Sequence, residues 1–165
     1  MDSSKELIII TGVSGAGKSS AMAFMEDAGY YCIDNMPPEL MSTFVSLLAN
    51  NSEYYPKVAM VVDIRSGYVF EKIIASIDSV EQYGYTCKIV YLDINDTEAL
   101  KRYKLTRRKH PFADKFNGNI QNALDYEREI LAPLRLKADH IIDTSGIDTH
   151  QLRARLTELL MGDAK

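Results

Sequence analysis

The chain has 165 residues, 46% of them hydrophobic and 25% charged, with a formal net charge of −4. That length suits one domain around one core, and the acidic balance argues against a domain that grips nucleic acid over its whole surface, although a local basic patch stays open. No apolar run approaches the ~20 residues that span a bilayer, and the short apolar run after Lys5 cannot form a signal-peptide core, so the cytoplasm is the expected location and no membrane partner is expected. Both cysteines, Cys32 and Cys87, fall in apolar runs with no Cys or His at metal-ligand spacing, and read as small buried thiols in a reducing compartment.

Taken in chain order, apolar runs at 7–11, 30–34, 58–63, 88–93 and 140–144 read as strands. They are nearly continuous rather than alternating, as expected for a parallel sheet covered on both faces. Between them lie helical patterns. Met22, Met25 and Ala28 share a face and stop at Gly29; Leu40, Phe44, Leu47 and Leu48 follow an opening at Pro37 and Pro38. Phe70, Ile73, Ile74, Ile77 and Val80 form the clearest stripe. Ile120, Ala123, Leu124, Ile130, Leu131 and Leu134 form another, which Pro133 is expected to bend or end. Leu152, Leu156, Leu159 and Leu160 form the last, opened by Asp148 and Gln151 in the pattern of a capping box. Strand and helix alternate throughout, which predicts a doubly wound α/β sandwich of three layers in a single domain.

The strongest local signal is Gly12-Val13-Ser14-Gly15-Ala16-Gly17-Lys18-Ser19, a full match to G-x-x-x-x-G-K-[ST] between an apolar strand and an amphipathic helix. Glycines let the backbone take positive φ and bring N–H groups close to phosphates. The positive end of the following helix adds to the anion site. Lys18 supplies a charge for the β and γ phosphates, and the Ser19 hydroxyl is placed to ligate Mg²⁺. The ligand expected is ATP or GTP with Mg²⁺.

Three predicted strands end in aspartate: Asp34, Asp63 and Asp93. Ligands of open α/β sheets sit at the carboxyl ends of strands, which puts these acids on the rim of the phosphate loop. Asp63 follows a run shaped like a Walker B strand and would hold Mg²⁺ or orient an attacking group. Asp34 is a candidate metal or substrate acid, whereas Asp93, just before Asn95 and Asp96, is explained by helix capping. Glu127 falls on the apolar face of its helix and calls for a partner, with Arg128, an arginine of the basic segment or a solvated helix edge as the alternatives. That basic segment is Lys101, Arg102, Lys104, Arg107, Arg108, Lys109 and His110, followed by Pro111. It reads as a lid over 107–119, with Arg107 and Arg108 as the catalytic phosphate partners beside Lys18 and Asp63; a solvated helix face and a docking surface are the alternatives.

Beyond the phosphate loop, Gly29-Tyr30-Tyr31-Cys32-Ile33-Asp34-Asn35-Met36-Pro37, Asp63-Ile64-Arg65-Ser66 and Thr106-Arg107-Arg108-Lys109-His110-Pro111 resemble the bacterial RapZ/YvcJ nucleotide-binding proteins over nearly the whole chain. That resemblance implies ATPase and GTPase activity, with ATP on residues 12–19 and guanine nucleotide on Asp63, Ile64, Arg65 and Ser66. It also implies a fold similar to small-molecule kinases, with strand order 2-3-1-4-5. Family members are usually longer and carry a second domain after this one; the chain stops at Lys165, so a lone N-terminal domain is expected, with the C-terminal domain as its partner. RNA contact and the ribonuclease-adapter role belong largely to that other half. Three functions are weighed: a regulatory domain with slow nucleotide hydrolysis, a small-metabolite kinase and an RNA-binding adapter module. A homo-oligomer is admitted by all three.

Overall fold

A computed structural model of the chain describes residues 5–51, 53–62, 69–106 and 112–161. In order these form β1 (Lys5–Gly12), α1 (Lys18–Asp27), β2 (Tyr31–Met36), α2 (Pro38–Asn50), β3 (Lys57–Val62), α3 (Val69–Glu81), β4 (Tyr85–Asp93), α4 (Asp96–Thr106), α5 (Ile120–Lys137), β5 (His140–Asp143) and α6 (Thr149–Met161). A 3₁₀ turn at Ala113–Phe116 precedes α5. The strands make one five-stranded sheet in the order β2-β3-β1-β4-β5, parallel at every pairing. Fold class and strand order are those expected.

Hydrophobicity accounts for the centre of the sheet. β1 carries Leu7, Ile8, Ile9 and Ile10, all fully buried, so this strand is covered on both faces. β-branched side chains suit that setting, and each one buried contributes about 1.5–3 kcal/mol. The cover comes in two contacting sets of helices, α1 with α6, and α2, α3, α5 and α4 in series. Pairing of Ile8 with Ala59 on one side and Lys88 on the other fixes the register, and the same register brings Gly12 opposite Leu92.

Several local expectations shift. The buried face of α2 is Met41, Val45 and Leu48, whereas Leu40 and Leu47 are exposed. The helix, opened by Pro38 in its first turn, thus buries a face one position away from Leu40 and Leu47 of the stripe read from its leucines. Pro133 neither ends nor splits α5, which runs on to Lys137. β4 begins at Tyr85, before its expected start, because pairing with β1 extends back to Lys5. β2 continues through Asp34 to Met36, across a register shift between Ile33 and Met36, so Asp34 lies within its strand and not at its end. The capping box on α6 is reciprocal: the Gln151 N–H donates to Asp148 Oδ1 (2.8 Å) and the Asp148 N–H to Gln151 Oε1 (2.9 Å). The two thiols are partly and not fully buried, and burial pushes both upward, Cys87 to about 12 with help from Glu81 and Asp139.

Candidate functional site

β1 delivers the chain to Gly12, where the sheet ends and the loop begins. Gly12 has φ +142°, and a Cβ built there would lie 2.1 Å from the Leu92 carbonyl oxygen of β4. Only glycine fits that approach. Val13 N–H donates to the same Leu92 oxygen (3.2 Å), so the loop springs directly from the β1–β4 seam. At the far end Gly17, in the left-handed region at φ 103°, opens α1 without a capping side chain, and the first turn of the helix carries no acidic residue. The first N–H groups of α1 are thereby offered to an anion.

Lys18 is half-buried and folds back along the loop. Its Nζ donates to the carbonyls of Gly12 (2.8 Å) and Val13 (3.3 Å). Burial pushes the ammonium's pKa below its ordinary value, and the negative charges of Glu127 and Asp34 work against that shift. Asp34, exposed on β2, is therefore close enough for Lys18 to feel it. Ser19 is exposed on the first turn of α1. Ser19 and Asp34 offer hard oxygen donors of the kind Mg²⁺ takes. Among the described residues no group of three or more His, Cys, Asp or Glu is arranged to hold a metal.

Three late elements hold the loop. Glu127, on α5 and only 5% exposed, accepts from Ser14 N–H at Oε1 (3.0 Å) and from the Ser14 hydroxyl at Oε2 (2.6 Å). Ser14 of the loop is thus a partner of Glu127, while Arg128 goes elsewhere. Arg102, on α4, donates to the carbonyls of Gly15 (2.6 Å) and Thr144 (3.0 Å). Buried Thr144, just after β5, donates its hydroxyl to the Ala16 carbonyl (2.8 Å). The ring of Tyr103 lies beside Gly15, its Cε2 3.8 Å from where a Cβ would stand.

Arg128 fixes α5 at the height that lets Glu127 reach the loop. Its guanidinium bonds Asp93 (3.0 Å), Asp96 (2.9 Å) and the Ile94 carbonyl. Burial works against this cation, yet the hydrogen bonds to Asp93 and Asp96 carry its pKa above its ordinary value. Gln121 donates to Asp96 as well, and these contacts hold the Asp96 carboxyl below its ordinary value, Gln121 being the largest influence. Asp93 is structural, bound by Arg128 and Arg135. The cap of α4 is Asn95, which accepts from Glu98 N–H (2.8 Å).

Of the residues singled out by sequence, 12–19 form one continuous cradle, with Asp34 near Lys18. Asp63, Ile64, Arg65 and Ser66 lie outside the described residues, as do Arg107 and Arg108 and the first part of the expected lid. Sequence reasoning did not foresee the anchoring roles of Arg102 and Thr144. Arg102 is one cation in a basic run, and nothing in that run marks it as an anchor of the loop. Among the described residues, one buried side-chain oxygen has no hydrogen-bond partner: Thr11 Oγ1, one residue before the loop.

A parallel sheet of this order, with a glycine loop and lysine at the end of its central strand, defines a domain of the P-loop, kinase-like fold. The chain belongs to the RapZ-like N-terminal domain family, whose model matches residues 5–164. A "nucleotide-binding protein" of Alkaliphilus oremlandii is 44% identical over 154 residues, 93% of this chain and 52% of that protein. One of Finegoldia magna is 43% identical over 151 residues, covering 92% of this chain and 52% of its own. The chain thus spans about half the length of the curated relatives it matches. Among solved structures, shikimate kinase from Bacteroides thetaiotaomicron superposes with a TM-score of 0.54 at 18% identity, covering 94% of this chain and 98% of that one. The YorR protein of Bacillus subtilis, solved with phosphorylated GDP, gives 0.56 at 17% identity, covering 93% and 95%. At these identities the likeness is one of fold.

Proposed function

We propose that residues 12–19 bind the phosphates of ATP or GTP with Mg²⁺ and that the domain hydrolyses the nucleotide slowly, as the nucleotide-binding half of a regulatory, ribonuclease-adapter type of protein in the cytoplasm. The observation that carries this reading is the cradle: a glycine loop anchored by three other elements, with the lysine at its end folded back along it and an uncapped helix N-terminus following. The names of the relatives support it. No helix among the described residues is long and apolar enough to cross a membrane.

In this reading Lys18 meets the β and γ phosphates, and Ser19, Asp34 and Asp63 are the residues to hold Mg²⁺, which when bound neutralises phosphate oxygens. Asp63, Ile64, Arg65 and Ser66 form the proposed guanine-nucleotide stretch. Arg107 and Arg108 would close over the triphosphate as a lid across 107–119, supplying charge that the transition state needs. The remaining half of the longer relatives is the expected partner, and RNA is expected to meet that half.

A second reading, a small-metabolite kinase, draws on one specific observation: Asp34 acts electrostatically on Lys18 and is exposed, so a substrate hydroxyl could meet a carboxylate beside the phosphates. Calorimetry of ATP, GTP and their diphosphates, with and without Mg²⁺, tests the main reading. Saturable triphosphate binding strengthened by Mg²⁺ is the expected result, and no binding of any nucleotide overturns it. Phosphoryl transfer to a metabolite pool in place of release to water would move the assignment to the kinase.

A further inference from the structure

We propose that Thr144 is a positioning residue for phosphate binding: its buried hydroxyl holds the Ala16–Gly17 peptide in the orientation that offers the Gly17 N–H to the anion. The inference rests on residues 12–19 binding a nucleotide's phosphates and adds what keeps the loop competent to do so.

The backbone changes hand at Gly17. This residue takes φ 103° and ψ 22°, in the left-handed region, and Lys18 begins the right-handed turn of α1. A left-handed residue beside a right-handed one makes successive N–H groups converge into a concavity that fits an anion. The converging groups here belong to Gly17, Lys18 and Ser19. Those of Lys18 and Ser19 are set by the helix, but the N–H of Gly17 belongs to the peptide unit it shares with Ala16, which precedes the helix. A trans peptide unit is a rigid plate that turns over through the ψ before it and the φ after it, and glycine accepts φ of either sign. Turned over, this unit would show phosphate the Ala16 carbonyl in place of an N–H.

Thr144 opposes that turn. Its hydroxyl donates to the Ala16 carbonyl at 2.8 Å. Carbonyl and N–H of a trans unit point opposite ways, so a carbonyl drawn toward Thr144 sends the Gly17 N–H away from it. The hydroxyl also lies 3.1 Å from the Asp93 carbonyl, but that contact is the longer one, and the Thr144 N–H already serves the same oxygen at 2.8 Å. Thr144 is itself held: it is 2% exposed, and its carbonyl accepts from Arg102 (3.0 Å). Arg102 does a different job on the neighbouring unit. It takes the Gly15 carbonyl (2.6 Å), whose partner N–H, that of Ala16, is committed to the Val13 carbonyl (3.0 Å). Arg102 thus braces a turn within the loop, whereas Thr144 aims a donor at the ligand.

The test compares Thr144→Val, close in shape but without the donor, with Thr144→Ser, which keeps it. Calorimetry with ADP and with a non-hydrolysable ATP analogue, at fixed free Mg²⁺, gives affinity, and urea unfolding of the same samples gives stability. Thr144→Val should weaken both nucleotides by about tenfold, the size of one hydrogen bond to a charged group, because the loop amides meet the α and β phosphates that both carry. Thr144→Ser should stay within about threefold of the natural protein. Should the valine variant not fold, Thr144→Cys, similar in size and a weak donor, takes its place. A folded donor-less variant that loses stability but keeps its affinity makes the hydroxyl merely structural and overturns the inference. So does an equal loss of affinity in Thr144→Ser, which would trace the effect to the methyl group's packing. Natural protein that binds neither nucleotide overturns the phosphate-loop reading itself, an outcome distinct from natural binding with an unmoved variant.

Discussion

Ser14 and Glu127 stand 113 positions apart in the chain, and the carboxylate of one takes both donors of the other. One side chain thus joins the first loop of the fold to its longest helix. The bottom of the site is built into the architecture as firmly as any core contact.

Lys18→Ala should fold and lose triphosphate affinity by about tenfold to a hundredfold, the range expected when hydrogen bonds to a charged group are removed. Burial disfavours the lysine's charged form, so its removal costs the fold nothing through that charge. Denaturant melts alongside nucleotide titrations check both halves. Unchanged affinity in a folded variant would show that the loop does not bind phosphate.

Gly12→Ala should be the most damaging single change in the loop. The new methyl would meet the Leu92 backbone at 2.1 Å, and neither strand can retreat without breaking the β1–β4 ladder. A loss of about 3 kcal/mol or more is expected from the clash and the unfavourable φ together. Urea unfolding measures it, and a loss below 1 kcal/mol, on the order of an ordinary surface change, would mean that the strands part easily.

Thr11→Val should stabilise. The Thr11 hydroxyl is buried with no partner among the described residues, and a methyl of the same shape lifts that desolvation cost. A gain of about 1 kcal/mol is reasonable. If the variant is instead less stable, or nucleotide binding falls with stability unchanged, the hydroxyl has a use that its contacts do not show.

The Asp96 clamp sets an acid limit. Hydrogen bonds from Gln121 and Arg128 hold its folded-state pKa below the ordinary value of about 3.9. Its contribution is therefore fully present above that value and is lost as pH falls through the folded pKa. Asp143, lowered by its bonds with Ser145, acts in the same direction. Asp96→Asn should shrink the stability difference between pH 7 and pH 3, measured by thermal melts at each pH. An unchanged difference would assign acid unfolding to other carboxylates.

Legibility in the sequence followed the range of the interactions. The phosphate loop was readable because its glycines, Lys18 and Ser19 are adjacent in the chain, and each residue type has a local physical reason. The strands were readable because burial on both faces leaves continuous apolar runs, as in Leu7 to Ile10. Burial of Glu127 was suspected from the apolar face it shares with Leu124 and Leu131, but its partner was not, since nothing near position 127 points to Ser14. Arg102 and Thr144 act at still longer range and look like an ordinary cation and an ordinary loop threonine. The face of α2 was misread because Leu40 and Leu47 are as hydrophobic as the residues that are buried, and only the phase of the helix tells them apart.

The anchors of the loop have a consequence for the order in which the protein comes into being. Residues 12–19 leave the ribosome before their partners, since their tethers to α4, α5 and the end of β5 span 87, 113 and 128 positions. At about 5–20 residues per second, on the order of ten seconds separate synthesis of Ala16 from synthesis of its partner Thr144. Through that interval the strand before the loop can begin to pair, but the carbonyls of Gly15 and Ala16 lack the groups that orient them. Nascent chains arrested before Thr144 should therefore fail to retain a nucleotide that chains arrested after α6 hold, so that ligand capture lags well behind synthesis of the motif itself.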